Sequence, residues 1–239
     1  MNSIKFKNNW LIGTIVLLSS FFVQSDNKKV LMGIKRPNLV GSNFNLSPKA
    51  ATAFINMCDD AAKSGIKIYS QSSYRSYAHQ KNIWERKYKR YIAQGESPKQ
   101  AIRHIIQYST IPGTSRHHWG TDLDIIDLSA KQPHSLLNAN NFQKDGAYET
   151  LYKWMNANIN RYGFYEVYTN DSTRKGFNYE PWHISFREEA KKNLQEYLLI
   201  DIKKELMERK LLGSDYFDKD FLEQYQKENI LGINPLLIP

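Results

Sequence analysis

Three short stretches, far apart in the chain, carry residues able to act together on one divalent ion. His117 is followed by Asp124 in Ser115-Arg116-His117-His118-Trp119-Gly120-Thr121-Asp122-Leu123-Asp124, His183 ends Glu180-Pro181-Trp182-His183, and Arg75 lies upstream. Two imidazoles and a carboxylate can fill three corners of a zinc tetrahedron and leave the fourth open to water. A spare glutamate beside the last histidine can then shuttle a proton. The chemistry such a set supports is hydrolysis.

His117 and Asp124 are seven residues apart. On one continuous helix they would stand about two turns from each other, too far to share an ion. A loop bearing His117, a turn at Gly120 and a strand bearing Asp124 can bring them together. In that strand Asp122 and Asp124 point to one face and Ile125 to the other. A carboxylate among Leu123, Ile125 and Ile126 is costly unless it is paired or bound to metal. Taken alone, the pair reads more simply as a hydrogen-bonded loop histidine near a strand-edge aspartate. His183 shares a strand face with Ser185, where a lone histidine is commonly a satisfied core or surface residue. Glu180 precedes Pro181, which fixes the chain direction and donates no hydrogen bond, so Glu180 is expected at the strand mouth, partly solvated. Only the set as a whole carries the reading.

The elements that must position these groups follow from local signals. Ser47-Pro48 reads as an N-cap followed by proline at the first helical position, and Phe54, Met57, Cys58, Ala61 and Ala62 continue at helical spacing toward Gly65. Alternation makes residues 66–71 a strand. Helices are expected over about 77–93, 98–108 and 147–161, and strands over about 121–128, 163–169 and 178–186. Helices first and hairpin-like strands later suit an α+β fold, a small antiparallel sheet packed with helices. Residues 26–46 look like an irregular lead-in, residues 47–187 like the domain that holds the site, and residues 188–239 like a charged C-terminal helical appendage. Leu194, Leu198, Ile202, Leu206 and Leu211 give the appendage an apolar stripe. Trp84, Tyr88 and Tyr91 follow helical spacing and read as core; His79, His104 and His134 lack partner spacing and read as surface residues.

With 239 residues and 41% hydrophobic side chains, the chain can bury a substantial core. Lys5 and Lys7 precede an apolar run from Trp10 to Val23, shorter than the ~20 residues a bilayer-spanning helix needs. Residues 1–25 are therefore read as a signal peptide cleaved after Ser25, with an uncleaved membrane anchor as the alternative. The formal charge of +9 would draw an exported protein to anionic surfaces, and export argues against a nucleic-acid partner. Cys58 is the sole cysteine, so an intrachain disulfide and a cysteine-based zinc site are both excluded; it is expected as a buried core thiol.

The stretch from Ser115 to Asp124 resembles the Ser-x-His-x-x-Gly-x-x-x-Asp signature of the D-alanyl-D-alanine carboxypeptidase/dipeptidase metallopeptidases. Glu180-Pro181-Trp182-His183 resembles their second signature. Ser72-Ser73-Tyr74-Arg75-Ser76-Tyr77 with Gln80 resembles their upstream element. The family includes the vancomycin-resistance carboxypeptidases and shares a zinc fold with lysostaphin-type endopeptidases and the Hedgehog signalling domain. The resemblance spans roughly residues 45–187. It implies zinc held by His117, Asp124 and His183, with Glu180 as general base and then general acid. It also implies that Arg75 steadies the oxyanion and that Ser115 and Gln80 hold the substrate's terminal carboxylate. The activity implied is that of an exported D-alanyl-D-alanine carboxypeptidase of the periplasm or cell envelope, hydrolysing the terminal bond of peptidoglycan stem peptides. A cross-bridge endopeptidase, a D,D-dipeptidase and a non-catalytic zinc-stabilised cell-wall binding module are the alternatives. Three departures stand out. Asp122 occupies a position where many members carry alanine, His118 adjoins the ligand candidate His117, and Ile184-Ser185-Phe186 replaces an aromatic-arginine continuation. Spacing to Asp124 favours His117 over His118.

Overall fold

A four-stranded antiparallel sheet carries the site: β1 (Ile68–Ser72), β2 (Asp122–Asp127), β3 (Phe164–Tyr168) and β4 (Glu180–Phe186), in the order β1-β2-β4-β3. The computed structural model describes residues 26–239, so the expected signal peptide, residues 1–25, lies outside the described residues. In the central pair Asp122 faces Ser185, Leu123 faces Ile184 and Asp124 faces His183. Cross-strand partners share a sheet face. One register therefore places two aspartates, a histidine and a serine together.

The other face is apolar. Leu123, Ile125, Ile184, Phe186 and Phe164 join Phe54 and Met57 of α1 (Pro48–Ala62) and Leu151 and Met155 of α4 (Glu149–Asn158) in one buried cluster. Ser47 caps α1 through its hydroxyl, which accepts from the Ala50 amide at 3.3 Å, and Pro48 opens the helix. The sheet with its covering helices is the expected α+β fold. Cys58 lies half-buried against this cluster, not fully enclosed, and burial pushes its thiol up to about 12.

A second cluster lies beyond the other side of the site. It unites Trp84 of α2 (Tyr77–Ala93), Ile102 and Ile105 of α3 (Pro98–Ile105), Ile111, Trp119 and Tyr168 with residues from the last fifty positions. Those are Leu194 and Tyr197 of α5 (Arg187–Tyr197), Ile202 and Leu206 of α6 (Ile202–Glu208), Leu211, Phe217, and Leu222 and Tyr225 of α7 (Lys219–Tyr225). The segment beyond residue 187 thus packs on the core. Trp84 Nε1 donates to the Leu212 carbonyl at 2.9 Å, and Asn234 donates to the carbonyls of Glu166 and Val167 along the edge strand β3, each at 2.9 Å. Trp84 is fully buried, with Tyr88 and Tyr91 packed against the cluster, while His79, His104 and His134 are exposed. The lead-in is more ordered than its sequence implies. Residues 26–31 are helical, Leu31 and Met32 are buried, and the Leu31 carbonyl accepts from Trp119 Nε1 at 3.1 Å. Among the described residues no helix is long and apolar enough to cross a membrane.

Gly120 sets the path between His117 and β2. Its φ of 70° is left-handed, and an added Cβ would lie 2.3 Å from Leu39 Cδ2. Its carbonyl accepts from the Ser47 amide at 2.8 Å, tying the turn to the start of α1. Gly120→Ala is expected to lower stability by about 1–2 kcal/mol from backbone strain alone, with the Leu39 clash adding to it, measured as a reduced urea midpoint at unchanged slope. Leu206→Ala is expected to cost about 2–5 kcal/mol in the same assay. A change near zero there would show that the C-terminal segment is not part of the cooperative core.

Candidate metal centre

His117 sits in a short 3-10 helix, Arg116–Trp119, that ends at Gly120 in the left-handed region. The Arg75 amide donates to the His117 carbonyl at 3.0 Å. His118 bridges two loops: its Nδ1 donates to the Arg75 carbonyl at 2.5 Å and its Nε2 accepts from the Gly113 amide at 3.2 Å. Tyr197 and Tyr225 steady the approach to this helix. Tyr197 donates to the Gly113 carbonyl at 2.8 Å, and Tyr225 accepts from the Ile111 amide at 3.0 Å while bonding Thr114. His118 is thereby used up as a fully buried, neutral strut, and burial pulls it down to about 3 despite the Arg75 carbonyl.

His117, Asp124 and His183 converge, and their ligand atoms all lie within 4.8 Å of one another. His117 Nε2 stands 3.5 Å from Asp124 Oδ2, and His183 Nδ1 stands 4.0 Å from Asp124 Oδ1. Tetrahedral ligands about 2.0–2.2 Å from a zinc ion are about 3.3–3.6 Å apart, so the His117–Asp124 gap matches and the His183–Asp124 gap needs a small contraction. Each ring is aimed by its far nitrogen. His117 Nδ1 donates to the Ser73 carbonyl at 2.7 Å, and His183 Nε2 donates to Asp122 Oδ1 at 3.1 Å. The near nitrogen of His117 therefore presents a lone pair, the state in which imidazole binds a metal, and that of His183 does so once its second proton leaves. The residues present fit a zinc ion.

Electrostatics separate the two carboxylates of the site. Burial opposes charge on Asp124, but His117, His183 and Arg75 together hold it at about 2. Burial raises Glu180, and the Asp124 charge adds to that rise against the pull of His183 and Arg75. Glu180 is 7% exposed, more enclosed than the strand mouth implied by its sequence, with Oε2 at 3.2 Å from His183 Nδ1. Burial works against His183 as a cation, yet hydrogen bonds to Asp122 and Glu180 and the Asp124 charge push it up to about 9 in the metal-free chain.

A cleft of about 650 Å³ opens onto this centre. Arg75, Ser115, His117, Asp124, Glu180 and His183 all lie on its walls. Gln80 does not, contrary to its expected contact with substrate. It is fully buried, with Oε1 accepting from Arg75 Nη1 and Nε2 donating to the Thr110 carbonyl, both at 2.9 Å. Ser72 Oγ accepts from Arg75 Nη2 at 2.9 Å, so the guanidinium is clamped from two sides with Asp124 3.6 Å away. The Ser115 hydroxyl is buried without a hydrogen-bond partner.

Sequence reasoning missed the opposite wall. Thr110 has a buried hydroxyl without a partner, and Ser109 accepts from Lys87 Nζ at 2.5 Å. These residues follow α3 in a segment whose composition carries no signal. It also missed the Ser73 carbonyl, because a backbone group leaves no mark on residue type. Tyr168, whose ring edge packs on His183 with centroids 5.2 Å apart, was read only as part of a strand.

A family profile described as VanY, D-alanyl-D-alanine carboxypeptidase, matches residues 43–189. The chain is 30% identical over 132 residues to a D-alanyl-D-alanine carboxypeptidase of Enterococcus faecalis, covering 55% of this chain and 44% of that protein. It thus spans less than half of that relative's length. VanYB in complex with D-alanine-D-alanine superposes with a TM-score of 0.50 and 24% identity, over 70% of this chain and 90% of that one. A vancomycin-resistance D,D-pentapeptidase VanY mutant in complex with Zn(II) gives 0.50 and 22%, over 77% and 90%. At these identities the two structures show a shared fold.

His118→Gln retains one donor and one acceptor and is expected to keep one divalent ion per chain, measured by metal analysis after dialysis; His117→Gln is expected to lose it. Loss of the ion in His118→Gln would reverse the ligand choice. The folded chain keeps His118 neutral down to about pH 3, whereas an unfolded histidine takes a proton near ~6.5. Protons therefore favour the unfolded state between those values. Wild type is expected to lose more stability than His118→Gln as pH falls through that window, read by denaturant titration at each pH.

Proposed function

Because the chain belongs to the VanY D-alanyl-D-alanine carboxypeptidase family, we propose that it is an exported, zinc-dependent D-alanyl-D-alanine carboxypeptidase of the periplasm or cell envelope. Its substrates are peptidoglycan stem peptides, and it removes their terminal D-alanine. One observation carries the reading: His117, Asp124 and His183 converge at the floor of a cleft that also exposes Glu180 and Arg75. A zinc ion held only for structure needs neither of the last two. The proposed domain is residues 47–187, with residues 188–239 packed upon it.

His117, Asp124 and His183 would hold the zinc ion, which when bound would supply a Lewis acid able to bring the pKa of water toward ~7. Glu180, with its proton affinity raised by burial, takes the proton of the attacking water and passes it to the leaving amine. The Arg75 guanidinium, aligned by Gln80 and Ser72, faces the charge that develops on the scissile carbonyl oxygen. Gln80 thus acts through Arg75 and not on substrate. The unpartnered Ser115 hydroxyl donates to the terminal carboxylate of the peptide. That free hydroxyl favours a carboxypeptidase over a cross-bridge endopeptidase, whose substrate presents no terminal carboxylate there. His117 gives its remaining N–H to the Ser73 carbonyl and His183 gives its own to Asp122, and His183 must release its second proton before Nδ1 can bind the ion.

Glu180→Ala is expected to retain zinc and lose at least about 100-fold in rate, and Arg75→Met about 100–1,000-fold. Mass spectrometry of muropeptides incubated with the zinc-loaded protein is expected to show loss of a single alanine. Full activity in Glu180→Ala would refute the assigned mechanism, and loss of a cross-link or of two alanines would refute the substrate assignment.

A further inference from the structure

We propose that Asp122, pinned by Arg116, is a positioning residue that locks His183 as an Nδ1 ligand without adding net charge to the centre. The proposal rests on the reading of His117, Asp124 and His183 as a zinc site. It concerns the second aspartate of β2, two positions before the ligand candidate Asp124.

Asp122 is fully buried. A carboxylate offers about four lone-pair sites, and four donors take them. Arg116 Nε at 2.9 Å and His183 Nε2 at 3.1 Å meet Oδ1; Thr121 Oγ1 at 2.6 Å and Ser185 Oγ at 3.0 Å meet Oδ2. A carboxylate held on both oxygens cannot swing round to coordinate the ion itself. It lies one strand position pair away from Asp124, yet only Asp124 joins the two histidines among the described residues that could hold a metal.

The grip on His183 decides which nitrogen faces the ion. With its Nε2 proton donated to Asp122, the ring has Nδ1 left for the ion, on the side of Asp124 and Glu180. Turning the ring over would bring a carbon against Asp122 and leave a buried acceptor unpaired, which is costly. Arg116 completes the device. Its Nη2 donates to Ser185 Oγ at 2.7 Å and its guanidinium lies 4.8 Å over the Trp119 ring, with 5% of the residue exposed. Its charge cancels that of Asp122, so Asp124 remains the one anion among the ligands and the divalent ion keeps its electrophilic character.

Removing Asp122 alone would strand a buried arginine and threaten folding. The test therefore uses Arg116→Met with Asp122→Ala, which deletes both charges, and Asp122→Asn, which keeps an acceptor. Two readouts are independent of turnover: the zinc dissociation constant from chelator competition, and the nitrogen-15 signals of the His183 ring in zinc-loaded protein. The double variant is expected to bind zinc about 10–100-fold more weakly, with mixed Nδ1- and Nε2-bound signals. Asp122→Asn is expected to keep the pure Nδ1 signature and to weaken binding by less. Should the double variant fail to fold, unchanged zinc affinity in Asp122→Asn overturns the proposal and a weakened affinity with the pure Nδ1 signature supports it. A folded double variant with wild-type affinity and ring signature overturns the clamp while leaving the zinc site intact. A wild-type chain that takes up no zinc overturns the zinc reading, and the clamp with it.

Discussion

Everything in this molecule that concerns chemistry depends on the pairing register between β2 and β4. Placing Asp124 opposite His183 and Asp122 opposite Ser185 puts a ligand pair and its hydrogen-bonded support on one face of the sheet. A slip of one residue would turn these groups into the apolar layer and expose Leu123 and Ile184 instead. The hydrophobic cluster beneath the sheet therefore does more than stabilise the fold. By making one register far cheaper than its neighbours, it fixes the spacing of the polar groups above.

The polar face survives burial because its charges are arranged in opposition. Asp122 meets Arg116, and Asp124 meets Arg75 and two imidazoles. Glu180 is the carboxylate left with a raised proton affinity, since burial outweighs its partners. Two acids of similar type thus acquire different behaviour from their surroundings, which is how a site separates a group that stays ionised from one that takes up a proton more readily.

Much of the site was legible in the sequence because its residues fall in short, spaced motifs. The turn at Gly120, the strand alternation that aligns Asp122 with Asp124, and the face shared by His183 and Ser185 all follow from local geometry. The role of Gln80 was not legible, since residue type and spacing do not distinguish a side chain that faces a cleft from one that braces Arg75 behind it. The enclosure of Glu180 depends on tertiary packing, as does the burial of Met32 ahead of the motifs. The stripe from Leu194 to Leu211 showed that the last helices had an apolar side, but periodicity alone does not name the surface they cover. That surface turned out to be the cluster around Trp84 and Trp119.

Tyr225 lies more than a hundred positions after the loop it holds through Ile111 and Thr114, and Tyr197 reaches back to Gly113 in the same way. A polypeptide emerges from synthesis N-terminus first, so the histidine-bearing loop exists long before its braces do. Until those tyrosines arrive, the loop from Ile111 to Thr114 that leads into the His117 helix lacks these side-chain braces. Order of appearance and order of assembly are therefore reversed, and the approach to the His117 helix is among the last parts of the chain to be braced.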